Sequence, residues 1–223
     1  MLIQENIPLS SYNSFGCEAN ASYFCTVKRK DEIDESMSWC KHQNKPFLIL
    51  GGGSNILFTN DFDGLVIKME IKGIKLLNET STDVLISVGA GENWHLLVKY
   101  CVQKGWGGIE NLSLIPGTVG AAPIQNIGAY GTEVANTITR IGFLDFLSGD
   151  TVVIEAVDLG FGYRDSILKQ GKLGVVLWVD FELENLGGLS QPIAFDQLAK
   201  ALASLQVKPG ARVATLAWNG YRH

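Results

Sequence analysis

Residues 50–55, Leu-Gly-Gly-Gly-Ser-Asn, follow a short apolar run at positions 47–50. A strand that ends in glycines can direct several backbone N–H groups into one concavity, which holds a phosphate without a positive side chain. The candidate binding residues are Gly51, Gly52, Gly53, Ser54 and Asn55. The segment matches neither G-x-G-x-x-G nor G-x-x-x-x-G-K-[ST], which excludes Rossmann and P-loop sites. A glycine-rich hairpin turn is the alternative, and this motif alone does not separate the two.

Gly53 is the position in this segment at which a side chain is expected to do most harm to binding. A valine there would block a positive φ and fill the space of the phosphate. We therefore predict from the sequence that Gly53→Val lowers ligand affinity more than stability.

Residues 116–131 form a second segment rich in small residues, inside a long stretch without a clear period. Small residues let a flat ligand approach the backbone, and a long irregular segment in a compact domain usually has a function. A plain connecting loop is the less favoured alternative. The candidate binding residues are Pro116, Gly117, Thr118, Gly120, Ala121, Gln125, Asn126, Gly128 and Gly131.

Residues 161–166, Phe-Gly-Tyr-Arg-Asp-Ser, supply a candidate catalytic cation. Arg164 keeps its charge at any working pH, so it can stabilise a developing anion. Taken alone, the segment is better explained by a surface Arg164 paired with Asp165.

The elements that position these segments follow from hydrophobic spacing. Ile33, Met37 and Cys40 predict a helix over residues 31–44, with Asp31 as its cap. Strands at 47–50 and 65–68 complete a β-α-β-β unit in residues 1–70. Lysines and glutamates outside the glycine segments are interpreted as solvated surface.

Residues 71–186 are predicted to form a second unit with more strands than helices. A strand at 84–88 precedes a helix that starts at Glu92 and stops at Gly105. Further strands are expected at 138–146 and 151–154, and alternation over 175–183 predicts a strand with one buried face. Residues 187–223 are predicted to be a linker, a short helix at 196–205 and a tail. The fold class is α+β.

Composition excludes several classes of function. The net charge is −5 and only 18% of residues are charged, so neither nucleic acid nor an anionic membrane is an expected partner. Four cysteines without metal-ligand or C-x-x-C spacing, Cys17, Cys25, Cys40 and Cys101, predict reduced thiols and no metal site. No signal-like or membrane-length apolar run is present, so we expect a cytoplasmic, soluble monomer.

Taken together and in this order, the segments resemble UDP-N-acetylenolpyruvoylglucosamine reductases. The similarity begins at residues 12–16 and continues through 51–58, 88–94 and 111–131. It ends after residues 163–166 and the strand at 175, and covers about residues 1–205. Residues 116–131 are its most specific part.

The resemblance implies an FAD-binding fold of the vanillyl-alcohol-oxidase type, with subdomains at 1–70 and 71–186. It implies that the two glycine segments bind the FAD pyrophosphate and isoalloxazine, and that NADPH is the co-substrate. Residues 51–55 offer no His or Cys for a flavin bond, so we expect non-covalent FAD. Arg164 matches the family's charge-stabilising arginine, and Tyr163 beside it would contact substrate. The implied substrate is UDP-N-acetylglucosamine enolpyruvate, in peptidoglycan synthesis and hence cell-wall formation, cell shape and division.

The sequence departs from the family after about Val207. The family's Gly-Ser-Phe-Phe-type segment with its proton-donating Ser, and its late Glu, have no counterpart here. The alternative expectation is therefore a truncated flavin-binding chain without turnover. A non-catalytic module that senses flavin or UDP-sugar is a third interpretation, without specific support in the sequence.

Overall fold

The computed structural model describes residues 1–187. Two α-helices lie among these residues, α1 (Lys30–Gln43) and α2 (Trp94–Lys104). The strands are β1 (Gln4–Pro8), β2 (Asn20–Val27), β3 (Phe47–Leu50), β4 (Phe62–Met69), β5 (Ile74–Glu79), β6 (Asp83–Gly89), β7 (Trp106–Gly107), β8 (Gly128–Ala129), β9 (Thr132–Glu133), β10 (Ile138–Asp145), β11 (Thr151–Glu155) and β12 (Gly174–Asn185). The helix predicted at 196–205 and the tail lie outside the described residues.

The first sheet has the strand order β1-β2-β4-β3. Strand β1 is antiparallel to β2, whereas β2 and β3 both run parallel to β4. The predicted β-α-β-β order is that of β2, α1, β3 and β4, and β1 was missed because its residues are mostly exposed and do not alternate. Because β3 and β4 are parallel, the glycine segment at 51–55 cannot be a hairpin turn, and that alternative is wrong.

Helix α1 begins without the predicted cap. Arg29 is the N-cap residue, and no side chain caps the helix there. Asp31 instead lies in the first turn, where its carboxylate accepts a hydrogen bond from Arg29 Nε at 3.0 Å. Asn44, in the left-handed region at φ 51°, ends the helix. Apolar spacing therefore predicted the helix, but the acidic residue near its start did not identify the capping residue.

The second sheet has the order β11-β10-β12-β6-β5, with β7 paired to β12, and all its pairs are antiparallel. Helix α2 starts at Trp94, two residues later than predicted, because Asn93 Oδ1 accepts the Leu96 N–H at 3.0 Å. It stops at Gly105 as predicted, with φ 75°.

Strand β12 corrects a second expectation. One buried face was predicted, but Val176 and Asp180, which belong to the other face, are also buried. Asp180 Oδ2 accepts a hydrogen bond from Arg140 Nε at 2.8 Å, which supplies a counter-charge for the buried carboxylate. Strand β12 lies between β10 and β6 in the middle of the sheet.

The main hydrophobic core joins the two sheets. Side chains of β4, such as Ile67, share one buried cluster with Ile86 of β6 and Phe181 of β12. A smaller cluster lies on the opposite face of the first sheet and contains Phe24, Leu50 and Val66, among others. Side chains of β4 alternate between these two clusters, and β3 pairs with β4 over four residues at the edge of the sheet. The glycine segment leaves the sheet at the end of this paired strand.

The described cysteines are free thiols. Burial raises the pKa of Cys40 to about 11 and that of Cys101 to about 12, so both stay protonated at neutral pH. In residues 1–187, no three His, Cys, Asp or Glu side chains are grouped to hold a metal ion. Neither α1 nor α2 has the length and apolar character needed to cross a membrane.

Candidate functional site

Two carbonyl groups of the first glycine loop, residues 51–55, accept hydrogen bonds from outside the loop. The carbonyl oxygen of Gly51 accepts a hydrogen bond from Lys68 Nζ. That of Gly53 accepts one from the Ser14 N–H at 3.0 Å. Four backbone N–H groups in the loop have no acceptor within residues 1–187: those of Gly52, Gly53, Ser54 and Asn55. Successive unpaired N–H groups of this kind form an anion-binding concavity.

The second glycine loop, residues 116–131, packs directly against the first. A Cβ added at Gly51 would lie 2.8 Å from Thr118 Oγ1, and one added at Gly52 would lie 2.8 Å from the Gly117 Cα. Two side-chain hydrogen bonds also join the loops, Ser54 Oγ to the Pro116 carbonyl at 3.2 Å and Asn55 Nδ2 to Gln125 Oε1 at 3.2 Å. Glycine is therefore required here for contact between the loops.

A cleft of about 320 Å³, here called the glycine cleft, opens between the two loops. Ten predicted residues line it: Gly51, Gly52, Gly53, Ser54, Asn55, Pro116, Gly117, Thr118, Ala121 and Gln125. Its other walls include the apolar side chains of Ile49, Ile56, Trp94, Ile124 and Ile127. A cavity of about 140 Å³ adjoins it between the sheets and is lined by Gly120, Met69 and Phe143. This combination of apolar walls and unpaired N–H groups suits a ligand with a ring and phosphates.

Three predicted residues of the second loop have other local roles. Asn126 is fully buried, and its Nδ2 donates to Glu133 Oε2 at 2.9 Å and to the Gly162 carbonyl at 3.0 Å. Gly128 belongs to β8, and Gly131, at φ 78°, lies in the turn between β8 and β9. None of the three lines the glycine cleft. Their placement favours a structural role over the cofactor contact predicted from the sequence.

Arg164 lies in a tight turn beside the second loop. The turn is closed by a hydrogen bond from the Gly162 N–H to the Asp165 carbonyl at 3.0 Å. Arg164 has φ 54°, and its Nη2 donates to the carbonyl of Gly128. The Asp165 carboxylate instead accepts from Gln170 Nε2 at 2.8 Å, the main cause of its lowered pKa. The alternative Arg164–Asp165 ion pair is therefore not formed, and neighbouring Tyr163 is 86% exposed.

One lysine near the site, Lys68, was interpreted wrongly as solvated surface. Lys68 is half-buried at the end of β4 and bonded to the first glycine loop. Lys169 is exposed as interpreted, but it also lines the glycine cleft, and its Nζ donates to the Arg164 carbonyl at 2.7 Å. An available signal for Lys68 was its position inside the apolar run 65–69, where a solvated side chain is out of place.

Comparison with known proteins supports the fold and the resemblance. The chain is 45% identical over 203 residues to the UDP-N-acetylenolpyruvoylglucosamine reductase of Amoebophilus asiaticus, covering 87% of this chain and 60% of that protein. It is 38% identical over 221 residues to the reductase of that name from Pseudomonas fluorescens, covering 92% and 65% respectively. The chain thus spans about three fifths of the length of these curated relatives. The resemblance drawn from the sequence is confirmed.

Solved structures agree with this result. The crystal structure of UDP-N-acetylenolpyruvylglucosamine reductase from Thermus caldophilus matches with a TM-score of 0.65 and 26% identity, over 92% of this chain and 68% of that one. A VAO-type flavoprotein from Myceliophthora thermophila matches with a TM-score of 0.55 at 17% identity, over 75% and 32%. The predicted α+β fold of the vanillyl-alcohol-oxidase type is therefore confirmed. The family described as FAD binding domain matches residues 21–155, more than half of the chain, so this chain belongs to the FAD binding domain family.

Proposed function

We propose that this chain acts as an FAD-dependent reductase that uses NADPH to convert UDP-N-acetylenolpyruvoylglucosamine to UDP-N-acetylmuramate for peptidoglycan. The observation that carries the proposal is the glycine cleft, where two distant glycine loops meet around unpaired backbone N–H groups. Relatives that bear the reductase name at up to 45% identity supply the substrate class. We further propose residues 1–70 and 71–186 as the two subdomains that hold the cofactor.

The residues of the cleft fit FAD on two counts. Unpaired N–H groups of the first loop provide donors for a pyrophosphate without a cationic side chain in the loop. Side-chain atoms at Gly51 and Gly52 would meet the second loop at 2.8 Å, so the backbone itself forms the surface offered to a ligand. When bound, FAD would supply hydride transfer between NADPH and the enolpyruvyl group. The protein would orient the ring between the apolar walls and exclude water.

Arg164 and Tyr163 are proposed to act on the substrate side. The guanidinium of Arg164 would stabilise the enolate-like charge that develops on the enolpyruvyl group. The exposed ring of Tyr163 would pack against the UDP-sugar. The net charge of −5 supports a small-molecule substrate over nucleic acid or a membrane surface. We propose a cytoplasmic monomer.

Purified protein is expected to bind one FAD per chain without a covalent bond, because the first loop has no His or Cys to attach it. Acid precipitation should release all of the yellow colour into the supernatant, and colour retained in the pellet would contradict the non-covalent site. Anaerobic NADPH should then bleach the flavin, and UDP-N-acetylenolpyruvoylglucosamine should restore its absorbance. Bleaching without restoration would identify the alternative, a flavin-binding chain without turnover. Protein that ignores added FAD would refute the proposal.

Gly52→Ala is expected to weaken FAD binding on the order of tenfold, because a displaced loop N–H would lose its hydrogen bond to the charged diphosphate. Such a loss costs about 1.5–3 kcal/mol. The new Cβ would lie 2.8 Å from the Gly117 Cα and push the two loops apart. Fluorescence titration measures the effect. Gly162→Ala is the matched control, because its Cβ would have an ordinary 3.8 Å contact with the Asp165 Cβ. Equal losses in both variants would show that loop contact is not the cause.

A further inference from the structure

A second cleft lies against the glycine cleft and shares part of its wall. This cleft of about 380 Å³, here called the lysine cleft, is lined by Ser14, Lys68 and Lys72, among others. Gly52 and Ser54 line both clefts. The first glycine loop therefore separates the two clefts, and the lysine side chains lie on the side of the lysine cleft.

Lys68 is the lysine that contacts the first glycine loop. On β4 it shares a face with Val66, which belongs to the small cluster under the loop. Its ammonium group donates a hydrogen bond to the Gly51 carbonyl. No carboxylate forms an ion pair with it within residues 1–187. Burial lowers the pKa of Lys68, and Lys72 lowers it further, while the nearby carboxylate of Glu70 raises it without forming an ion pair.

Because of the geometry of the peptide group, the contact between Lys68 and the Gly51 carbonyl fixes the orientation of the loop. In a trans peptide the carbonyl of one residue and the N–H of the next point in opposite directions, and no described peptide bond is cis. Lys68 holds the Gly51 carbonyl and the Ser14 N–H holds the Gly53 carbonyl, both on the lysine side. The N–H groups of Gly52 and Ser54 must therefore point away, toward the glycine cleft.

We infer that Lys68 is a positioning residue for a diphosphate, which it serves through the Gly51–Gly52 peptide group. It fixes the N–H groups of the loop toward the glycine cleft and places behind them a positive charge that forms no ion pair within residues 1–187. A diphosphate bound there would gain donors that are already oriented, which removes part of the ordering cost of binding. The inference rests on the proposed cofactor and extends it to a residue outside the cofactor's own cleft.

Lys68→Met tests the inference, with Lys72→Met as the matched control. Both variants remove one positive charge from the lysine cleft, but Lys72 donates to the Gly91 carbonyl and not to the loop. Lys68→Met should weaken both FAD and ADP about tenfold, because a charge-assisted contact behind the donors is lost. Lys72→Met should change either affinity less than about twofold, since its charge is solvent-screened. Melting temperatures check that both variants fold.

The outcomes separate this inference from the proposed function. Unchanged affinity in Lys68→Met, or equal losses in the two variants, would overturn the role of Lys68 while leaving FAD binding intact. If the unsubstituted chain binds ADP but not FAD, the proposed function fails and the ADP titrations alone decide the role of Lys68. If it binds neither, both are refuted.

Discussion

Gly53→Val is expected to lower the free energy of unfolding by at least about 3 kcal/mol, combining left-handed backbone strain with overpacking. Gly53 has φ 67°, and a Cβ there would lie 1.9 Å from the carbonyl oxygen of Tyr12. That oxygen belongs to the backbone, so no side-chain rotation relieves the clash. Valine adds two methyl carbons beyond that Cβ, which increases the overlap. Urea denaturation, followed by circular dichroism, measures the loss.

Gly16→Val is the matched control for this substitution. Gly16 has nearly the same φ, 63°, but no atom lies within 4 Å of an added Cβ. Gly16→Val should therefore lower the free energy of unfolding by only about 1–2 kcal/mol, which is the cost of the left-handed conformation for a residue with a Cβ. Equal losses at the two positions would show that the Tyr12 contact does not matter.

The structure reverses the expectation that Gly53→Val harms binding more than folding. From the sequence, the space beside Gly53 was assigned to a phosphate. The Tyr12 carbonyl fills that space instead. The substitution is therefore expected to destabilise the fold before it affects ligand binding directly.

In the proposed reaction, Arg164→Met is expected to slow the transfer of hydride to the enolpyruvyl substrate by about 10²–10³-fold, the usual cost of removing one donor that stabilises a developing anion. The turn that carries Arg164 is fastened to the second glycine loop by Ser166 Oγ, which donates to the Ile124 carbonyl at 2.7 Å. The guanidinium is thereby held beside the loop that lines the glycine cleft. The rate at which substrate restores flavin absorbance in stopped flow measures the effect.

Two comparisons make the Arg164 result specific. Bleaching of the flavin by NADPH should be unchanged in Arg164→Met, because that step develops no negative charge on the enolpyruvyl group. Arg29→Met, which removes an exposed arginine at the start of α1, should leave both steps unchanged. Equal slowing of both steps in Arg164→Met would mean that Arg164 positions the cofactor and does not stabilise the substrate anion.

Several features were predictable from the residues alone because they depend on near neighbours. Apolar spacing located α1 and α2, and Gly105 marked the end of α2 because only a left-handed residue closes a helix in that way. An excess of small residues located both glycine loops, since backbone contact requires side chains to be absent. The motif order across these loops also carried the resemblance that the comparisons confirmed.

Other features depend on contacts between residues far apart in the chain. Nothing near Gly53 in the sequence indicates Tyr12, and nothing near Gly52 indicates Gly117. Asn126 has the chemistry of a ligand-binding amide, yet folding satisfies its side chain inside the protein. Lys68 has the chemistry of a surface lysine, yet its strand ends beneath the first glycine loop. Periodicity determines which face of an element is buried, but only the assembled sheets determine which backbone lies against that face.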